Sequence, residues 1–462
     1  MLAWRHGPRR IPSQQYRTFS STIIRKELRD IGELPARIKP SYEGATLPVK
    51  RHRQPELTED PWTETKHQDL LGLKWPSPPR NIFLVKKKHT RTVDEAFLEY
   101  VKHIQLSYPA TSIVLEKDVA EDLHEQLGQP VYTARADTSS SLYAEKVDLT
   151  STLGGDGTIL HAASLFSHAS TVPPIISFSM GTLGFLGEWR FTEYKRAFRE
   201  VFVSGADTSN GSLGQQQQAQ EVGIMRTDNE QSTGEMAKTS QPSGWSTVRG
   251  KFMGHGRNAR ILLRNRLKVA LSAPYTSKQS SADVKSAKPD MFAMNEVIIH
   301  RGSDPHLAIL DVFVGGRFLT EAVADGMIIS TPTGSTAYSL SSGGSIVHPL
   351  VPSLLLTPIC PRSLSFRPLV LPANTPITLR LSDKNRGRKV DVSIDGVKLS
   401  EGFSVGMEIK VRAEDVKDEL GNWVGGVPSV VRAHPGADAG SEDSWVGGLN
   451  GLLKFNYPMG ED

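Results

Sequence analysis

The segment Leu153-Gly154-Gly155-Asp156-Gly157-Thr158-Ile159-Leu160 sets one carboxylate among three glycines, between a strand-like and a helix-like apolar run. Glycine lets the backbone come close to a ligand, and the first turn of a helix offers unpaired N–H groups to an anion. Such a turn can hold a phosphate. Asp-Gly is also ordinary tight-turn chemistry, so by itself the segment leaves a phosphate site and a plain turn both open. A second dense stretch runs from Asp325 to Pro349 through Ser330-Thr331-Pro332-Thr333-Gly334-Ser335-Thr336-Ala337-Tyr338-Ser339-Leu340-Ser341. It ends a strand, crosses a hydroxyl-rich turn and enters a helix of small residues. Hydroxyls and free N–H groups there can hydrogen-bond a base or ribose, and small side chains let a flat ring lie on the backbone. Ser/Thr capping of a plain turn explains only part of so many polar groups.

The surrounding elements have to position these groups. Val147–Leu153 reads as a strand, and Thr158–Phe166 as the start of a buried helix, with apolar residues at 159, 160, 162, 163, 165 and 166. Before them, strand-like Asn81–Val85 and Ser112–Leu115 alternate with helical patterns over Thr92–Tyr108 and Val119–Leu127; after them come strand-like Pro174–Phe178, a glycine-marked turn at Gly181 and Gly184, and helical Tyr194–Val203. Alternation with short links predicts an α/β layer whose largely parallel sheet binds ligands at the carboxyl ends of its strands, where Gly154–Gly157 fall. Lys86-Lys87-Lys88 and the arginines Arg257, Arg260, Arg264 and Arg266 fit solvated faces better than phosphate clamps. From Asp290 onward the pattern is mostly β. Leu307–Val314 and Phe318–Val323 flank Gly315-Gly316 as a hairpin, and Ile377–Leu381, Val390–Ile394 and Phe403–Val411 alternate in the same way. Asp395-Gly396 then reads as a tight turn between strands.

With 462 residues, 38% hydrophobic content and 23% charge, the chain has room for two domains plus tails. A net charge of +4 makes no case for nucleic-acid binding, and no apolar run approaches the roughly 18 residues of a membrane span. Cys360 is the single cysteine, which excludes an intrachain disulfide; its apolar neighbours predict a buried, inert thiol. Residues 1–26 carry six basic and no acidic residues, with Ser and Thr clustered at 18–22, the pattern of a mitochondrial transit peptide. Residues 27–80, rich in proline and charge, read as an extended linker on the surface of the folded part. The α/β domain is expected at 81–205, a disordered insertion with Gln215–Gln218 at 206–250, a β-rich, sandwich-like domain at 251–415, and a C-terminal segment at 416–462 that packs back on the body.

Gly154-Gly155-Asp156-Gly157-Thr158, Met294-Asn295-Glu296, the Asp325–Pro349 block, Leu356–Pro368 and Ser393-Ile394-Asp395-Gly396 together resemble the NAD kinase family, over most of 81–415. The leader and Leu449–Tyr457 look most like the fungal mitochondrial NADH kinases. The resemblance implies ATP as phosphoryl donor, with Mg2+ or another divalent cation inferred from ATP chemistry, and NADH or NAD as acceptor. It implies Asp156 as the base for the adenosine-ribose 2′-hydroxyl, and Gly155 and Gly157 as backbone clearance around phosphates. Asn295 and Glu296 would hold adenine and ribose, Thr333, Thr336, Ala337, Tyr338 and Ser341 would line the adenosine pocket, Asp325 would stand near the nicotinamide riboside, and Phe185 would pack beside the substrate. No dedicated metal-ligand cluster is visible. A homo-oligomer in the mitochondrial matrix, with no nucleic-acid or membrane partner, completes the expectation. Two alternatives share features: a lipid or sphingoid-base kinase, which has the Gly-Gly-Asp-Gly element, and a non-catalytic dinucleotide sensor. Asn295-Glu296 and Thr336-Ala337-Tyr338 disfavour the first.

Overall fold

Ile82, Phe83, Leu84 and Val85 are all buried, a continuous apolar run that suits a strand covered on both faces. In the computed structural model this strand, Asn81–Lys86, lies at the heart of an 11-stranded sheet. The structure describes residues 28–44, 70–127, 129–134, 139–181, 184–205, 258–272, 290–400 and 402–432, with Leu449 and Leu453 near the end of the chain. Side chains alternate across the sheet. Ile82 and Leu84 pack with Phe97, Tyr100, Val101 and Ile104 of the helix Arg91–Ser107 and with Phe198 and Val201 of the helix Tyr194–Phe202. Phe83 and Val85 face the opposite core, against Tyr143 and against Ile159 and Ala162 of the helix Asp156–Ser164. Helices on both faces of a parallel sheet are the α/β arrangement expected.

Strands Asn81–Lys86, Leu149–Leu153 and Ile175–Ser179 run parallel, with Lys86 opposite Leu153 and Leu153 opposite Phe178. Their carboxyl ends are therefore level, and the glycine loop leaves the sheet at that edge. The C-terminal half is a sandwich of a six-stranded and a seven-stranded antiparallel sheet. Val269, Leu310, Leu379 and Ile409 of the first interdigitate with Val297, Met327, Leu356 and Val392 of the second. Gly315 and Gly316 close their hairpin with φ of 59° and 77°, the left-handed pair that a two-residue turn between twisted strands requires.

Several expectations are corrected. The span 27–80 is not simply a linker: Leu28–Asp30, Ser41–Gly44 and Leu71–Lys74 are strands of the first sheet. Arg260–Arg264 pairs with Val427–Val431, placing both in the first sheet and not in the sandwich. Arg264 of this strand and Arg266 just after it do not lie on a solvated face, each being 2% exposed. Cys360 is exposed: it follows the strand Ser353–Ile359 with φ of 44°, a left-handed turn that carries it out of the sheet. The leader 1–26, the insertion 206–250 and, apart from Leu449 and Leu453, residues 433–462 lie outside the described residues.

Arg266 joins the two halves. Its Nε and Nη2 donate to Glu414 at 2.8 and 2.6 Å, and its Nη1 and Nη2 reach the carbonyls of Phe166 and Ser170, just past the Asp156 helix. The guanidinium also stacks 4.2 Å from the ring of Phe292, whose N–H donates to the Ser167 carbonyl. Breaking a buried pair strands the remaining charge, so Arg266→Met is expected to cost about 3–5 kcal/mol in denaturant unfolding. A loss under about 1 kcal/mol, the range of exposed ion pairs, would contradict this role.

Candidate active site

Gly154 can only be glycine here: its φ is 155°, and an added Cβ would stand 2.2 Å from Thr158 Oγ1 and 3.2 Å from Lys87 Cβ. Its N–H donates to the Phe178 carbonyl at 2.9 Å, stitching the loop to the edge of the sheet. The helix begins at Asp156, two residues earlier than the apolar pattern indicates, so the carboxylate belongs to its first turn. Negative charge is favoured there. Gly155 and Gly157 are exposed, and a Cβ on either would meet nothing within 4 Å, which leaves that side of the loop open.

The Asp156 carboxylate is fixed from across the loop, accepting from the Phe185 N–H at 2.9 Å and the Leu186 N–H at 3.1 Å. This brings Phe185, half-buried, to the side of Asp156. Gly184 makes the approach possible, because a Cβ there would fall 2.1 Å from Asp156 Oδ1. Sequence reasoning passed over Gly184 as a turn glycine; its pairing with Gly181 at a strand end was the available signal. Arg264 was missed as well. Its Nε donates to Ser429 Oγ at 3.2 Å, while Nη1 is buried without a protein partner. Burial pushes this guanidinium below its ordinary value, and the carboxylates of Glu188 and Asp156 act against that. The lysine run is partly neutralised, Lys86 by Asp94 and Lys88 by Asp118, each at 2.6 Å.

Asn295 and Glu296 stand on the turn that enters the strand Glu296–His300 and are 6% and 7% exposed. The backbone of this turn is held from two sides. Thr331 donates its hydroxyl to the Met294 carbonyl at 2.6 Å and its N–H to the Asn295 carbonyl at 2.9 Å. Asp395 accepts from the N–H groups of Met294, Asn295 and Glu296 at 2.6, 2.7 and 3.1 Å. Asn295 Oδ1 and Glu296 Oε2 are buried without a protein partner, which leaves unmet hydrogen-bonding capacity on both side chains. Burial, then the neighbouring Asp395 charge, pushes the Glu296 carboxyl up to about 7.

Thr333 follows Thr331 after the single residue Pro332. It opens a 3-10 turn, Thr333–Thr336, whose Gly334 crosses so close to the Asn295 carbonyl that a Cβ would lie 2.3 Å from it. Asn295, Glu296 and Thr333 are thus neighbours. Thr336 and Ala337, half-buried, and Tyr338, 39% exposed, continue outward to Ser341 at the end of a single helical turn, forming an open rim. Asp325 is set apart. It precedes the strand Gly326–Ser330, whose register puts Ser330 opposite Glu296 and Gly326 opposite His300. That places Asp325 roughly 16 Å down the strand, where it pairs with Arg301 Nε at 2.6 Å.

The two turns meet through packing. Met294, beside Asn295, is 1% exposed and shares one apolar cluster with Ile159 of the Asp156 helix and with Leu186, whose N–H holds Asp156.

A glycine-bracketed carboxylate thus stands at the carboxyl end of the parallel strands, and the turn that carries the buried Asn295 and Glu296 shares an apolar cluster with its helix. The family model for the ATP-NAD kinase N-terminal domain matches residues 82–205, and that for the C-terminal domain matches residues 294–417. The chain belongs to the NAD kinase family. Among its relatives, the mitochondrial NADH kinase of Schizosaccharomyces pombe is 37% identical over 97% of this chain and 90% of its own length. That of Saccharomyces cerevisiae is 34% identical over 84% of this chain and 83% of its own. The crystal structure of yeast NADH kinase complexed with NADH superposes with a TM-score of 0.66 at 30% identity, covering 94% of this chain and 98% of that one.

The raised Glu296 gives a pH-dependent cost. An acid held above its ordinary value in the native state costs nothing below about 4.5 and destabilises progressively as pH rises to about 7. Glu296→Gln is therefore expected to gain on the order of 2–3 kcal/mol relative to wild type between pH 4 and pH 8, read by denaturant unfolding of the ligand-free protein. Equal differences at both pH values would contradict it.

Proposed function

We propose that this chain transfers the γ-phosphoryl group of ATP to the adenosine-ribose 2′-hydroxyl of NADH or NAD, giving NADPH or NADP. One observation supports the reading: Met294, beside Asn295, shares an apolar cluster with Ile159 of the Asp156 helix and with Leu186, whose N–H donates to Asp156. Asn295, with a donor and an acceptor on one amide, suits the edge of adenine, and the Glu296 carboxylate suits vicinal ribose hydroxyls. The ribose oxygen attacks the γ-phosphorus and the bond to the β–γ bridging oxygen breaks. ADP leaves with that electron pair, and Asp156 accepts the hydroxyl proton. The Phe185 and Leu186 N–H groups place the Asp156 carboxylate for this transfer.

Gly155 and Gly157 leave the donor phosphates a path to the backbone at the start of the helix. A magnesium ion arriving with ATP would be held chiefly by phosphate oxygens and water on the open side of the Gly155–Gly157 loop. When bound, the ion supplies neutralisation of charge on the transferring group. NADH as acceptor, and the mitochondrial matrix as location, draw support from the mitochondrial NADH kinase relatives and from the basic, acid-free leader. Asp325, set apart down its strand from the Glu296 pocket, would meet the nicotinamide riboside end of the dinucleotide, while a homo-oligomer draws its support from the family resemblance. The buried polar pair Asn295-Glu296 speaks against an acyl-chain substrate, which would leave both side chains unsatisfied.

Protein lacking the leader, supplied with Mg-ATP and NADH or NAD, is expected to form NADPH or NADP. Asp156→Asn is expected to lower kcat by about a hundredfold or more while still binding NADH. Absence of product with either dinucleotide would overturn the kinase reading in favour of a sensor; full turnover by the variant would remove Asp156 from the base role.

A further inference from the structure

Asp395-Gly396 closes a two-residue hairpin, with Ile394 paired to Val397 and φ of 46° and 81° at the turn. For that purpose asparagine serves as well as aspartate, since both tolerate the left-handed conformation. What the hairpin does not explain is where the carboxylate goes. It lies under the Met294–Glu296 turn, collecting three backbone N–H groups at 2.6 to 3.1 Å, and the Asp395 N–H returns a bond to the Glu296 carbonyl at 3.0 Å. Three donors converging on two oxygens need an acceptor-only group, which a carboxylate is and a carboxamide is not.

We infer that Asp395 is a positioning residue for dinucleotide recognition, fixing Asn295 and Glu296 through their own backbone from a hairpin 100 residues further along the chain. The inference rests on the proposed function, in which those two side chains hold the adenosine. Asp395 touches neither substrate in this arrangement. It sets the height and direction of the turn while Thr331 holds the carbonyl side, so the turn has no free backbone donor left to move with. Its charge has a second effect: it adds to burial in keeping Glu296 protonated up to near neutrality. Burial pushes the Asp395 carboxyl above its ordinary value, and the Met294, Asn295 and Glu296 N–H groups, with Arg266 after them, act against that. The groups that face this pair are therefore Glu296, Asp395 and Arg266, from three separate strand ends.

Asp395→Asn separates this role from turn closure. It preserves the turn but presents an N–H₂ group to one side of the donor set. Expected are a rise of about tenfold or more in the KM for NADH, an unchanged KM for ATP, and kcat within a few-fold of wild type. The pH midpoint for NADH binding, titrated by fluorescence without ATP, is expected to move to lower pH as Glu296 loses its charged neighbour. Gly396→Ala, which strains the same turn and leaves the carboxylate alone, should lower thermal stability without moving either value. If Asp395→Asn does not fold, Asp395→Glu, which keeps the charge but displaces the oxygens by one methylene, is expected to raise the NADH KM in the same way. An Asp395→Asn or Asp395→Glu protein with wild-type NADH affinity and midpoint would overturn the inference. Wild-type protein that binds neither NADH nor NAD would instead overturn the proposed function.

Discussion

The site depends on an apolar cluster in which Met294 is buried together with Ile159 and Leu186. Met294 belongs to the sandwich and the other two to the α/β layer, so this cluster ties the Asn295–Glu296 turn to the Asp156 helix. Full burial of a methionine is worth about 1.5–3 kcal/mol, too little to hold two domains in register alone. Arg266 supplies the remainder, reaching from the start of the sandwich to the carbonyls after the Asp156 helix and to Glu414. The apolar cluster ties the halves together, and a directional ion pair sets the orientation.

Around that junction the polar groups follow a common rule. Backbone N–H groups make the bonds that fix both Asp156 and the Asn295–Glu296 turn. Asp156 is held by two N–H groups from the Phe185 turn, and the Asn295–Glu296 turn is held by a carboxylate beneath it. Side-chain acceptors on Asn295 and Glu296 stay uncommitted, and Asn295 Oδ1 and Glu296 Oε2 stay unmet. An unmet buried acceptor costs stability in the free protein, and a bound ribose or base recovers that cost. Pressure of this kind explains why Glu296 sits near neutrality while ligand-free. Arg264 has the converse problem, a buried cation whose nearest compensation comes from Glu188 and Asp156.

The α/β layer was legible because its strands are unbroken apolar runs and its helices keep one apolar face. The helix Arg91–Ser107 and the hairpin about Gly315-Gly316 fall within a residue or so of where the pattern puts them. The errors share one cause, contacts made far along the chain. Arg266 reads as a surface arginine until Glu414, 148 residues later, comes beside it. Leu71–Lys74 and Ser41–Gly44 are too short, and too close to prolines, to show a period, and become strands only because Arg260–Arg264 offers an edge to pair with. Cys360 has apolar neighbours in sequence but a left-handed backbone that turns it outward. Asp395 read correctly as a turn, yet nothing local to it reveals three donors arriving from residues 294–296.

The most direct test of a single site assembled across the two domains is a crystal structure of the protein with NADH bound. A catalytic Asp156 predicts the adenosine-ribose 2′-oxygen within about 2.6–3.2 Å of its carboxylate, directly or through one water, with adenine against Asn295. A dinucleotide whose adenosine ribose lies against Asn295 and Glu296 but turns its 2′-hydroxyl away from Asp156, or one bound elsewhere on the molecule, would contradict it.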